Sequence, residues 1–228
     1  MRLKMVAFAV GVIAVLGGGY AAYDYYAGNH VTVEGVIPAS GNNSVQAAAG
    51  VIEAAKLSGQ WSIKQPDSKV YISVTTSKET VNIEAGSVTG VWTLDSADAG
   101  KMKAEAAVSL GSLQSGNGQR DNHIKGANYL DAAAHPEAKF ALKGFENFPK
   151  EWKEGEKVSF NMNGTLTVKG ISKDVTFKND AVYSQGTIRM EGSTVVTFAD
   201  FGMKNPHAVV LDTENNVTVQ TRLVLEKV

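Results

Sequence analysis

The chain has 228 residues and a net charge of −1, with 22 Lys and Arg against 23 Asp and Glu. That balance leaves no cationic excess to neutralise phosphates, which argues against nucleic-acid binding. Cysteine is absent, which removes disulfides, thiol catalysis and thiolate metal sites, while 43% hydrophobic residues suffice for a folded core.

Residues 5–22 are almost wholly apolar, with Arg2 and Lys4 before them and Tyr20, Tyr23, Tyr25 and Tyr26 at the far end. About 20 such residues cross a hydrocarbon core of ~30 Å as a helix. Basic residues favour the cytoplasmic side and tyrosines the membrane–water boundary. Residues 1–27 therefore read as a single-pass membrane anchor with the N-terminus inside. The alternative is a cleaved signal peptide, for which Gly19 and Ala21 supply small residues. Either reading places the remainder outside the cytoplasm.

Residues 28–58 form a linker. Pro38, Ser40, Gly41, Asn42 and Asn43 are loop material. Ser44 can cap a short helix running from Gln46 to Lys56, with Gly59 beyond its end. This helix is either a spacer or a lid on the domain that follows.

From Trp61 onward the hydrophobic period is two. Val158, Phe160, Met162, Gly164, Leu166 and Val168 alternate with Ser, Asn and Thr, as in a strand with one buried face. The same alternation runs through Met102, Ala104, Ala106, Val108 and Leu110, through Ile188, Met190, Gly192, Thr194, Val196 and Phe198, and through Val217 to Leu225. Shorter strands are predicted over residues 69–76, 79–84, 88–94, 138–145 and 172–183. Turn residues separate them at Gly86-Ser87, Ala99-Gly100, Lys169-Gly170, Asn179-Asp180, Gln185-Gly186 and Asn215-Asn216. Short turns without intervening helices predict antiparallel order. Eight or nine such strands make either a sandwich or a barrel. Residues 114–136 break the pattern as a polar, partly helical insertion. The loop 146–153 sets Phe148 and Trp152 among charges, either touching a membrane surface or folding over the end of the sheet.

Arg120, Asp121 and His123 are the compact polar cluster in the insertion. Arg120 offers a fork for a phosphate or quinone oxygen. The structural alternative has Asp121 capping a helix and Arg120 tying the loop to a strand end. His123, His135, Asp121 and Asp131 lack the paired spacing of a zinc site. Ser109, Ser112 and Ser115 lack the Gly-x-Ser-x-Gly setting of a nucleophile. No metal and no catalytic residue is predicted.

Several of these segments resemble one family. The stretch from Ser112 to Leu142, with Asn117, Arg120, Asp121, His123, Tyr129, Leu130 and Asp131, is similar to the signature region of the YceI-like proteins. Gly164 to Phe177 is similar to that family's strand–Gly–strand segment, and Phe198, Ala199, Asp200, Phe201 and Gly202 with Asn205-Pro206 to its closing segment. Trp61, Ile63, Trp92 and Leu94 lie in segments like its opening strands. The chain departs from the pattern at Asp67-Ser68 and His135-Pro136. The resemblance implies an antiparallel lipocalin-like β-barrel of about eight strands over residues 59–228, with a short helical insertion across one mouth.

It also implies a non-catalytic protein that holds an amphiphilic lipid, a polyisoprenoid or isoprenoid quinone, for sequestration or transport. The expected interior wall is Trp92, Met102, Val108, Phe140, Leu142, Phe160, Met162, Leu166, Ile188, Met190, Val196 and Phe198, with Arg120, Asp121 and His123 at the head group or in a structural loop. Two alternatives stand beside this reading. One is a ligand-free anchored surface module for interaction or stress. The other is an enzyme acting on an isoprenoid through His123 and Asp121.

Overall fold

Alternation along the strands decides which face is buried, and the pairing of those strands closes the sheet. The structure is a computed structural model describing residues 28–38, 50–95, 97–206 and 212–228. The expected anchor over residues 1–27 lies outside them. Among the described residues no helix is long and apolar enough to cross a membrane.

Eleven strand segments follow one another: β1 (Gly59–Ile63), β2 (Lys69–Thr76), β3 (Thr80–Ala85), β4 (Val88–Leu94), β5 (Lys103–Ser109), β6 (Leu113–Gln114), β7 (Glu137–Glu146), β8 (Lys157–Val168), β9 (Ile171–Ser184), β10 (Thr187–Thr197) and β11 (Thr213–Lys227). Every pairing between them is antiparallel. The first six make only three staves of the wall. β1 and β2 both pair with β11, Ile63 facing Leu225 and Val70 facing Thr221. β3 and β4 continue one another beside them, as do β5 and β6. The result is an eight-stave barrel, as the resemblance implies, with its first three staves broken.

The breaks have local causes. Between β1 and β2 the chain passes through Pro66, which lacks a backbone N–H, in a cis Gln65–Pro66 bond. Ser68, fully buried, fills the gap in the ladder: its Oγ accepts from Val224 N at 3.0 Å and donates to Val224 O at 3.4 Å. Gln65 Nε2 donates to Val88 O across the same bend. β5 ends where the 3₁₀ turn Leu110–Ser112 begins, so the single strand expected through Leu110 stops one residue early.

One end of the barrel is plugged. A short helix α1 (Ala54–Leu57) buries Leu57 there, beside Ile52, and the Trp61 indole donates to Leu57 O at 2.8 Å. Phe145, Phe148, Trp152 and Phe160 stack against one another, with ring centroids 4.8 to 6.4 Å apart. Trp152 is only 2% exposed, so the aromatics of loop 146–153 fold over the barrel end and do not form a membrane-facing tip. Ile52 N donates to Trp152 O at 2.7 Å and joins the two parts of the plug. The described part of the expected linker helix is thus a lid on this end, not a spacer. Its predicted first part, before residue 50, lies outside the described residues.

Residues 28–38 are a strap over the outer wall. Asn29 Nδ2 donates to Asn82 O and Ser115 O, and its Oδ1 accepts from Asn82 N. Further along, Glu34 N donates to Tyr71 Oη at 3.5 Å, and Arg222 Nε donates to Glu34 O. Glu191 Oε1 accepts from both Val36 N and Ile37 N at 2.8 Å. Tyr71, on the outer face of β2, is thereby fully buried and its phenol pKa pushed up, chiefly by burial. The linker pattern gave no sign of this strap, because hydrogen bonds and not apolar periodicity hold it.

Two predictions follow from the wall. The Phe140 ring lies over Gly164, and any Cβ at 164 meets that ring and the Ala141 carbonyl. Gly164→Ala should therefore destabilise the barrel by about 1–3 kcal/mol in urea unfolding, with an unchanged m-value. On the outer face, Asp174 is held by the Lys143 ammonium and Thr165, Asp180 by the Ser159 hydroxyl and Lys157, and Asp200 by Lys173 and Thr197. All three carboxyls lie below the ordinary value of 3.8. A carboxyl whose folded pKa is depressed stabilises the fold above the unfolded value and loses that contribution as pH falls through the folded one. Urea midpoints should thus hold from pH 7 to about 5 and fall below about 4, with a shallower fall in the D174N/D180N/D200N variant.

Candidate ligand-binding site

The interior of the barrel is not filled evenly. In the plugged half, Met102, Phe160, Ile188 and Met190 are buried against Trp61, Tyr183 and Leu225. In the other half an apolar cavity of about 100 Å³ remains. Its walls are Val70 and Ile72 of β2, Val88 and Trp92 of β4, Ala106 and Val108 of β5, Ala138 and Phe140 of β7, Met162, Leu166 and Val168 of β8, Phe177 of β9, and Val219, Thr221 and Leu223 of β11. The edge-to-face pair of Phe140 and Phe177, with centroids 5.4 Å apart, stiffens one side.

Three leucines close the cavity at the insertion end: Leu110, Leu113 and Leu130. They come from a 3₁₀ turn, the two-residue strand β6 and the insertion, none of which carries a strand period. Leu130 is positioned by backbone bonds behind helix α2 (Gly118–Lys125), where Leu130 N donates to Ile124 O and Ala132 N to Lys125 O.

Trp92 and Thr221 reach the cavity wall, and Thr221 borders a small buried polar set on the neighbouring strands. Asn179, Gly192 and Thr221 face one another across β9, β10 and β11. A side chain at Gly192 would collide with Asn179 Oδ1 and Thr221 Oγ1. Asn179 is 3% exposed and its Nδ2 donates to Phe177 O. Asn179 Oδ1, Thr221 Oγ1 and the Trp92 indole N–H find no hydrogen-bond partner among the described residues. A buried polar atom left unpaired costs about 1–3 kcal/mol.

Of the residues expected on the interior wall, Trp92, Val108, Phe140, Met162 and Leu166 line the cavity. Met102, Phe160, Ile188 and Met190 are buried outside its lining, as are Val196 and Phe198 near the 3₁₀ turn Ala199–Phe201. Leu142 is half-buried at the edge of the core. The expectation missed Leu110, Leu113 and Leu130, and it also missed Phe177, Val219 and Leu223, which share the same inward register and were legible from it.

The polar cluster of the insertion is divided. Asn117, not Asp121, caps α2, its Oδ1 accepting from Gln119 N and Arg120 N at 3.1 Å. Asp121 turns back to the buried Ser115, accepting from its N at 2.8 Å and its Oγ at 2.6 Å. His123 stacks on Tyr129 at 4.8 Å. Arg120 and His123, with Asn117, Gln119 and Asn122, line an open outer depression of about 580 Å³, and none of the cluster lines the apolar cavity. The head-group position expected for Arg120, Asp121 and His123 is therefore not at this cavity. A second polar concavity of about 440 Å³ lies mainly on the outer wall between Ser159 and Arg222. Among the described residues no three His, Asp or Glu side chains converge as metal ligands.

The comparisons with known proteins agree with this architecture. A sequence model of the YceI-like domain matches residues 61–225. A UPF0312 protein of Pseudomonas putida strain GB-1 is 31% identical over 137 residues, which is 58% of this chain and 68% of its own length. One from Pseudomonas syringae pv. tomato is 29% identical over 123 residues, 51% of this chain and 60% of its own. Among solved structures, BcnA of Burkholderia cenocepacia superposes with a TM-score of 0.62 at 19% identity, covering 71% of this chain and 98% of BcnA. A polyisoprenoid binding domain from Saccharophagus degradans superposes with a TM-score of 0.59 at 14% identity, covering 74% of this chain and 98% of that domain. At these identities the two structures speak to the fold. The eight-stave closure, the insertion across one end and the match over residues 61–225 together place the chain in the YceI-like domain family.

Proposed function

We propose that this protein is a non-catalytic binding protein that holds an amphiphilic isoprenoid lipid, a polyisoprenoid or isoprenoid quinone, in the cavity beneath Leu110, Leu113 and Leu130. The observation that carries this reading is the almost wholly hydrocarbon cavity in one half of an otherwise packed barrel. Residues 5–22 tether the barrel to a membrane, and the barrel works outside the cytoplasm. The Saccharophagus degradans domain, described as polyisoprenoid binding, supports the choice of ligand class.

The size of the cavity says how such a ligand enters. Ligand sites span roughly 300–1,000 Å³, and this cavity has about 100 Å³. A prenyl tail must push the leucine roof and the Phe140 ring outward. Burial at ~25 cal/mol per Å² gives a tail of several hundred Å² on the order of 10 kcal/mol from water to displace them. The polar end of the amphiphile finds the indole N–H of Trp92 or the Thr221 hydroxyl, both on the cavity wall and both without a partner among the described residues. An indole N–H only donates, so it suits a carbonyl or hydroxyl oxygen. A purely hydrocarbon ligand leaves those atoms unpaired.

Native mass spectrometry of the whole protein, extracted from its own membranes in mild detergent, tests the reading. The expected result is a stoichiometric adduct that extracts as a prenyl lipid or quinone. A bare mass that stays bare after incubation with an isoprenoid quinone overturns it and leaves a filled barrel that works through protein contacts.

The polar atoms give an independent check. Thr221→Val removes an unpartnered hydroxyl at nearly constant shape. The ligand-free protein should gain about 1 kcal/mol in urea unfolding, while its dissociation constant for an added quinone, followed by Trp fluorescence, should rise severalfold. A stability gain with unchanged affinity would remove Thr221 from the site.

A further inference from the structure

We infer that the barrel is held with its insertion end against the bilayer and its plugged end away from it, so that the leucine roof of the cavity faces lipid. This rests on the proposed anchoring through residues 5–22. The strap decides the orientation. Asn29 is pinned at the insertion end. Its backbone N–H donates to Glu79 Oε2 at 2.9 Å in the β2–β3 turn, and its Nδ2 donates to Asn82 O at 2.8 Å and Ser115 O at 3.0 Å. Ser115 is the residue that holds Asp121 of α2. The strap therefore starts beside the insertion at Asn29 and runs along the wall toward Glu191 and the plugged end.

The tether is too short to undo this. From Ala22, where the apolar run stops, to Asn29 the chain reaches at most about 25 Å at ~3.5 Å per residue. A twelve-residue strand such as β8, at ~3.3 Å per residue and tilted about 40°, makes a wall roughly 30 Å high. With Asn29 fixed near one rim, the opposite rim cannot be laid on the membrane surface without tearing the strap from the wall. A lipid can then pass from the bilayer to the roof without crossing bulk water.

The absence of cysteine makes the test clean. The full-length chain is reconstituted in vesicles of phosphatidylethanolamine and phosphatidylglycerol. A fluorophore is placed at Asn122→Cys or Ser172→Cys on the insertion end, or at Lys150→Cys on the plugged end, and quenched by a headgroup-labelled lipid. Expected is co-flotation with the vesicles and quenching several-fold stronger at positions 122 and 172 than at 150. Co-flotation with equal quenching, or with stronger quenching at 150, overturns the orientation and leaves the anchor standing. Failure of the full-length chain to co-float overturns the anchor and the orientation with it.

Discussion

Everything in this molecule depends on the closure made by β11. An open antiparallel sheet leaves two rows of unpaired N–H and C=O groups, and only a closed one removes them. The first stave is interrupted at residues 64–68, so no single short strand can close it. β11, from Thr213 to Lys227, is long enough to pair with β2 through its first part and β1 through its last. Ser68 carries the ladder across the gap by bonding both backbone groups of Val224. Once the ring is closed, inward and outward faces are fixed for every residue, because a slip of one position would turn the whole apolar set to solvent.

Closure also makes two ends, and the sequence treats them differently. The plugged end takes the long aromatics, with Phe145, Phe148, Trp152 and Phe160 packed edge and face against one another. The other end is roofed by three leucines on irregular chain. A cluster of interlocked rings resists opening, whereas the leucines sit on short irregular segments, Leu110 bonded to Pro136 O, Leu113 paired with Ala85 and Leu130 held by bonds at residues 124–132. The cavity lies under the weaker of the two covers. On the proposed reading, that asymmetry, more than the volume of the cavity, favours the insertion end as the way in for a ligand.

The barrel was legible in the sequence because one face is buried and the other wet. β8 and β10 show the period of two along nearly their whole length, and the structure buries the residues that the period selects. The same pattern named Trp92, Phe140, Met162 and Leu166 as inward. It could not say which inward residues face a void and which face each other, since Met102 and Met190 obey the same alternation as Met162. Leu110 ended an expected alternating strand, whereas Leu113 and Leu130 were invisible to it, being held by a two-residue strand and an insertion. The strap left no apolar signature, because Asn29, Glu191 and Arg222 hold it by polar bonds to backbone. Asp121 stood out as a candidate for chemistry, yet the structure uses it to hold Ser115, a bond between residues six apart that no motif announces.

The placement of the roof changes what sets affinity. A prenyl tail moving from water into the barrel gains the full hydrophobic term. One moving from a bilayer exchanges hydrocarbon for hydrocarbon, and lipid tails are as apolar as leucine side chains. For a barrel held beside its lipid, tail burial therefore contributes little to the balance between protein and membrane. What remains on the proposed reading is the cost of displacing Leu110, Leu113, Leu130 and Phe140, set against hydrogen bonds from Trp92 or Thr221 to a polar end. Each such bond contributes about 0.5–1.5 kcal/mol. If those two terms balance, occupancy of such a tethered barrel would follow the concentration of the lipid in the membrane. A tethered barrel of this kind loads when its ligand accumulates and empties when it is depleted, which is the behaviour of a local buffer. Long-range carriage would require release from the tether, since only in water does the tail hold the ligand firmly in place.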